Sequence, residues 1–100
     1  ALPPLDSSVV SYVHLCDGAA TLPPDEAALR NEARTGRLYP GEGELPLDAF
    51  LAAMPADARL GLEAPCRAYA HLPVIERGRV AGRITREWLA RHAMEGAAAR

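Results

Sequence analysis

Two short apolar runs, Val9–Cys16 and Arg59–Glu63, constrain this chain more than any other feature. Each carries at or near its end a residue able to bind a metal or move a proton, His14 in the first and Glu63 in the second. Turn chemistry follows each at once, Asp17-Gly18 and Ala64-Pro65. The first run is nearly continuous in apolar residues, as a parallel strand covered on both faces should be. Helical patterns lie between and after the runs. Strands alternating with helices build parallel βα units, so the chain is expected to be α/β, with parallel strands inside and helices outside.

The remaining punctuation fixes the segments. Residues 1–8 form a lead-in and 9–16 the first strand, bounded by Asp6-Ser7-Ser8. Residues 17–45 make a long loop containing a helix, which Pro23-Pro24-Asp25 opens and which runs through Arg34. Pro46 begins a helix over 46–54, with Leu47, Phe50, Leu51 and Met54 at helical spacing and Pro55 as its stop. The second strand covers 59–63 and a loop runs to about Leu72. A terminal helix spans 74–93, with Val80, Ile84 and Trp88 on one face, and 94–100 is a frayed tail.

Period-2 alternation assigns the strand faces. If His14 points to the inner face, Tyr12 and Cys16 do too, and Val9, Val13 and Leu15 face the helices. If Glu63 points inward, Arg59 and Gly61 follow, leaving Leu60 and Leu62 for the helix layer. Val13, Leu15, Leu60 and Leu62 are therefore expected against Leu51, Ile84 and Trp88. Histidine and carboxylate at the ends of neighbouring strands share one ion readily, since imidazole nitrogen and anionic oxygen suit Mn, Zn or Co. The expectation is His14 and Glu63 within about 6 Å of each other at one sheet end.

Each of these residues has a plainer reading beside the functional one. His14 is a metal ligand or a hydrogen-bonded core histidine; Glu63 is a ligand and base or the partner of an arginine such as Arg67. Asp17 either orients His14 through a hydrogen bond or is the turn residue that Gly18 implies. Arg37, with Arg34 as its substitute, is read as a grip for a substrate oxygen, carboxylate or phosphate beside the glycine-containing loop Pro40–Gly43. Glu42 and Glu44 read as solvent-exposed, and His71 and His92 as unremarkable.

Composition narrows the partners. The chain has 100 residues, so one small domain at most, with a net charge of −2 and no basic run. That argues against nucleic acid held through its phosphates. No apolar stretch approaches the roughly 18 residues of a membrane span, and no signal-peptide pattern opens the chain, so a cytoplasmic location is expected. Cys16 and Cys66 are the two cysteines, expected as reduced thiols turned away from each other. The start at Ala1-Leu2-Pro3-Pro4 reads as a cut piece of something longer.

Three stretches taken in order, His14-Leu15-Cys16-Asp17, Gly36-Arg37-Leu38-Tyr39-Pro40-Gly41-Glu42-Gly43-Glu44-Leu45, and Leu62-Glu63-Ala64-Pro65, resemble one family. It is the sugar phosphate isomerase/epimerase family, the xylose isomerase-like TIM barrels, at its C-terminal end, and the resemblance covers about residues 8 to 93. It implies the last two βα units of a TIM (β/α)8 barrel, whose whole takes about 250 residues. It also implies one divalent metal ion (Mn, Co, Zn or Mg) held by a glutamate, an aspartate, a histidine and a second glutamate. His14 matches the histidine and Glu63 the last glutamate; the other two ligands belong to earlier strands, which this chain lacks.

The implied activity is proton abstraction next to a carbonyl in a sugar, polyol or keto acid, with Glu63 as ligand and candidate base. A dehydratase of the same superfamily, of dehydroshikimate or inosose type, would share barrel and ligands. An endonuclease IV-like hydrolase fits poorly with the negative charge and the few histidines. A non-catalytic interaction half-domain or inactive fragment is the remaining class. Two strands leave an open edge and an uncovered face, so the chain is expected to associate with the missing barrel part or with itself.

Overall fold

The computed structural model describes residues 3–98, with side-chain burial described through residue 93. Strand β1 is Tyr12–Leu15 and β2 is Arg59–Leu62. They pair parallel in one two-stranded sheet, with Val13 opposite Leu60 and His14 opposite Gly61. Helices α1 (Glu26–Thr35) and α2 (Leu47–Ala53) lie between the strands in sequence, and α3 (Val74–Ala98) follows β2. The class is mixed α/β with a parallel sheet and three helices. A connection of this length, carrying helices, is what two adjacent parallel strands require.

Local chemistry explains the helices. Asp25 caps α1 by accepting a hydrogen bond from Ala28 N at 2.8 Å, Glu26 supplies the favourable first-turn charge and Arg34 the last-turn one. Glu26 and Arg30 pair one turn apart on its outer face. Pro46 sits at the N-terminus of α2, and the chain returns to extended backbone at Met54, just before Pro55. Helix α3 continues past the expected end at Ala93 as far as Ala98, so residues 94–98 belong to the helix and not to a tail. Alanine, methionine and glutamate there propagate a helix, and one glycine at position 96 costs too little to stop it.

The core lies on one face of the sheet. Val13 and Leu15 pack with Leu47 and Trp88, and Val10, Phe50, Leu51, Met54, Ala58 and Leu89 surround them. Trp88 is a packing residue, as helical spacing predicts. The alternation holds for β1 but fails at two places. Val9 is 80% exposed, because Asp6 O accepts from the amides of both Val9 and Val10 and turns the chain before the strand starts. The first strand is therefore Tyr12–Leu15 within the expected 9–16. Leu60 stays 38% exposed. It and Leu62 face Gly78, Ala81 and Gly82 of α3 across a shallow groove, and those small residues have no bulk to cover it.

The second strand ends at Leu62, one residue short of Glu63, although Glu63 N still donates to Leu15 O at 3.0 Å. The loop beyond contains a short 3-10 turn, Arg67–Tyr69, which the sequence reading passed over.

Candidate functional site

The ends of the two strands are tied together by the segment between Gly36 and Leu38. Leu38 exchanges both backbone hydrogen bonds with Asp17, at 2.8 and 3.0 Å, and Gly36 bridges to Cys66. The connection after β1 and the connection after β2 thus share one crosspiece at the C-terminal edge of the sheet.

On the sheet face opposite the core, His14 Nδ1 lies 2.7 Å from Glu63 Oε2. The distance is well inside the expected 6 Å, at the same end of neighbouring parallel strands. Glu63 therefore pairs with His14, whereas Arg67 donates to Thr35 Oγ1 at 3.1 Å. The core-histidine reading of His14 also fails, because its side chain is 56% exposed and that of Glu63 69%. Tyr12 meets the His14 ring edge-on with centroids 4.9 Å apart. Gly61, between them on β2, is where a Cβ would meet Tyr12 Oη at 2.2 Å, so the tyrosine lies across the strand because that side chain is missing.

Asp17 does something else. Its side chain is 2% exposed and turned away from His14 into the following loop. Oδ1 accepts from the amides of Gly18 (2.8 Å) and Leu45 (3.1 Å), and Oδ2 from those of Gly41 and Gly43 (both 3.0 Å). The expectation that Asp17 orients His14 is corrected: all of its described hydrogen bonds go to backbone amides of its own loop system. The reason is local. Gly41 has φ +89°, a conformation that only glycine adopts without strain, and Gly43 leaves no room for a Cβ, which would sit 2.5 Å from both Asp17 Oδ1 and Gly18 O. The glycines of Pro40–Gly43 do allow close backbone approach to an anion, as anion-binding loops do. The anion they approach is the protein's own carboxylate.

A second anchor holds the same loop. Glu42 is exposed as expected, yet its carboxylate is engaged: Oε1 accepts from Tyr39 N at 3.2 Å and Oε2 from the Tyr69 hydroxyl at 2.5 Å. Tyr39 and Tyr69 stack with ring centroids 4.9 Å apart. The hydrogen bond to Glu42, and then burial, push the Tyr69 phenol up to about 12. Burial raises the Tyr39 phenol as well.

Arg37 leads away from the His14–Glu63 pair. Its guanidinium donates to Cys16 Sγ at 3.3 Å and pairs with Glu32 at 2.8 Å. The contact with Cys16 raises its pKa most; burial opposes the rise and Glu32 adds to it. Arg37 and Cys16 line a cavity of about 300 Å³ with Leu22, Leu29 and Leu45. Arg34, the substitute, lines a different cavity beside Arg67. Cys16 and Cys66 are free thiols. His92 is not unremarkable: it stacks on Trp88 and its Nδ1 lies 2.8 Å from Asp48 Oδ1, joining α2 to α3.

His14 and Glu63 are donors of the right chemistry for a divalent ion, and they supply two donors. Among the described residues no group of three or more His, Cys, Asp or Glu side chains is arranged to hold a metal. The pair fits an ion as part of a larger ligand set. Also among the described residues, no helix is long and apolar enough to cross a membrane. No protein-family model, no curated protein and no solved structure matches the chain.

Proposed function

We propose that this chain is the C-terminal part of a divalent-metal-dependent sugar (phosphate) isomerase or epimerase with a xylose isomerase-like TIM barrel. The observation that carries the reading is the juxtaposition of His14 and Glu63, 2.7 Å apart at one end of two adjacent parallel strands. In such barrels the C-terminal strand ends hold the reacting groups. The exposed face bearing Tyr12, His14 and Glu63 supports the same reading, because a barrel interior cut open would present this mixed polar surface.

His14 and Glu63 would hold the ion together with carboxylates from other strands. When bound, the ion supplies charge stabilisation at the carbonyl and hydroxyl oxygens of the substrate. Glu63 is an acceptor at hydrogen-bond distance from a ring nitrogen, so it can take a proton and His14 can steady the resulting acid. Tyr12 limits the approach to His14 from one side. The substrate class is a small sugar, polyol or keto acid in the cytoplasm; Arg37, engaged by Cys16 and Glu32 in a separate cavity, is no part of this contact set. A dehydratase of the same superfamily would use the same pair.

The test is turnover. Isomerase, epimerase and dehydratase assays with Mn or Co, on the complete barrel containing this segment, should show activity lost in His14→Ala and Glu63→Gln. Turnover that survives both substitutions rejects the site.

A further inference from the structure

We propose that Arg34, Arg67 and Arg77 form a binding site for a phosphate oxyanion, either free phosphate or the phosphate of a small monoester. The three arginines line one cavity of about 260 Å³ with Thr35, Pro65, Cys66 and Ala70. No carboxylate lines it. In a chain of net charge −2 this is a local concentration of three positive charges.

Three carboxylates are committed elsewhere, Glu32 to Arg37, Glu42 to Tyr69 and Glu63 to His14, and Glu76, next to Arg77 in the chain, is exposed and does not line the cavity. Among the described residues none of the three arginines has an ion-pair partner. Arg77 Nε is moreover buried without a hydrogen-bond acceptor. Buried donors are almost always paired, and this one is free to donate to an acceptor from outside the protein, a water or an oxyanion.

The cavity walls are fixed by the fold. Arg34 and Thr35 end α1, Cys66 and Arg67 open the turn after β2, and Arg77 lies in the first turn of α3. The Gly36–Cys66 bridge and the Arg67–Thr35 hydrogen bond hold the first two walls together. Guanidinium forks match the tetrahedral oxygens of phosphate in pairs, which lysine does not do. The chain's basic residues are all arginine. The site stands without the isomerase reading, since neither His14 nor Glu63 contributes to it.

Two-dimensional amide spectra of the isotope-labelled protein, titrated with inorganic phosphate at constant ionic strength, test the site. Saturable shifts are expected at Thr35, Cys66 and Arg67 and at the Arg77 Nε proton. The Arg67→Gln/Arg77→Gln pair should weaken the affinity by at least about tenfold, and Arg83→Gln on the exposed side of α3 should leave it unchanged. Arg77→Lys, with folding checked by Trp88 fluorescence, keeps the charge but loses the fork and should also bind more weakly. Ribose 5-phosphate binding more tightly than phosphate, with ribose silent, identifies a monoester; equal affinity identifies free phosphate. Absence of saturation, or an affinity indifferent to the arginine variants, overturns the proposal. His14→Ala should not affect it, which separates this test from that of the isomerase reading.

Discussion

Two carboxylates stand near the C-terminal ends of the parallel strands, and the fold uses them in opposite ways. Asp17 is buried and accepts four backbone amides, fastening the Gly41–Leu45 loop over the end of β1. Glu63 is exposed and has one described partner, a histidine on the neighbouring strand. A carboxylate whose lone pairs are saturated by main chain has little left to offer a ligand. One that only lies against an imidazole at the open face retains its coordinating capacity. Burial and hydrogen-bond saturation, more than residue type, separate the acid that serves the fold from the one left open to a ligand.

The comparison breaks most visibly at Asp17. Asp17→Ala leaves four amides to find water or new partners, and urea denaturation should register a loss on the order of 4 kcal/mol or failure to fold. Asp17→Asn should recover only part of this, because its amide nitrogen cannot accept from either pair of loop amides. Next in size is Gly43→Ala, whose Cβ collides with backbone and carboxylate and should cost about 1–3 kcal/mol. Gly61→Ala sharpens the contrast: the nearest atoms in its way are the tip of the exposed Tyr12 side chain, which can rotate aside, and the next is His14 Cδ2 at 3.3 Å, on a side chain that is exposed too. It should change stability by only about 0.5 kcal/mol while removing the Tyr12–His14 contact.

The Tyr69–Glu42 anchor gives a pH dependence with a definite sign. The hydrogen bond to Glu42 pushes the folded phenol up to about 12, above its ordinary 10.0. Its contribution is therefore complete below pH 10 and disappears as pH rises through about 12. Tyr69→Phe should lower stability by about 1 kcal/mol and flatten the alkaline limb of the stability profile. His14→Ala or Glu63→Gln should likewise affect folding little, by less than about 1 kcal/mol for an exposed pair. A large loss of stability there would place Glu63 in the same class as Asp17.

How far the sequence went follows the same division. The parallel strands, α1 and α2, and the burial of Val13, Leu15 and Trp88 follow from local patterns, because alternation and capping are local physics. The meeting of His14 with Glu63 was legible only in part: period-2 alternation puts both on one sheet face, but the register sets Gly61 opposite His14, so Glu63 reaches it diagonally from two residues further along. Asp17 was half legible: Asp-Gly announces a turn, but four amides converging from residues 18 to 45 depend on where a distant loop closes. The Tyr39–Tyr69 stack, the Glu42 bond and the His92–Asp48 pair are non-local too and left no periodic trace. The exposure of Leu60 was readable in principle, from the small residues Gly78, Ala81 and Gly82 on the facing helix.

The central claim is that the exposed acid pairs with His14 for chemistry while the buried one serves the fold. Paramagnetic broadening of amide signals by substoichiometric Mn²⁺ tests it directly. The account predicts that His14, Gly61 and Glu63 broaden first, that Glu63→Gln and His14→Ala abolish the effect, and that the Asp17 loop is the last of these to respond. Broadening centred on the Gly41–Leu45 loop, or indifferent to both substitutions, would contradict it.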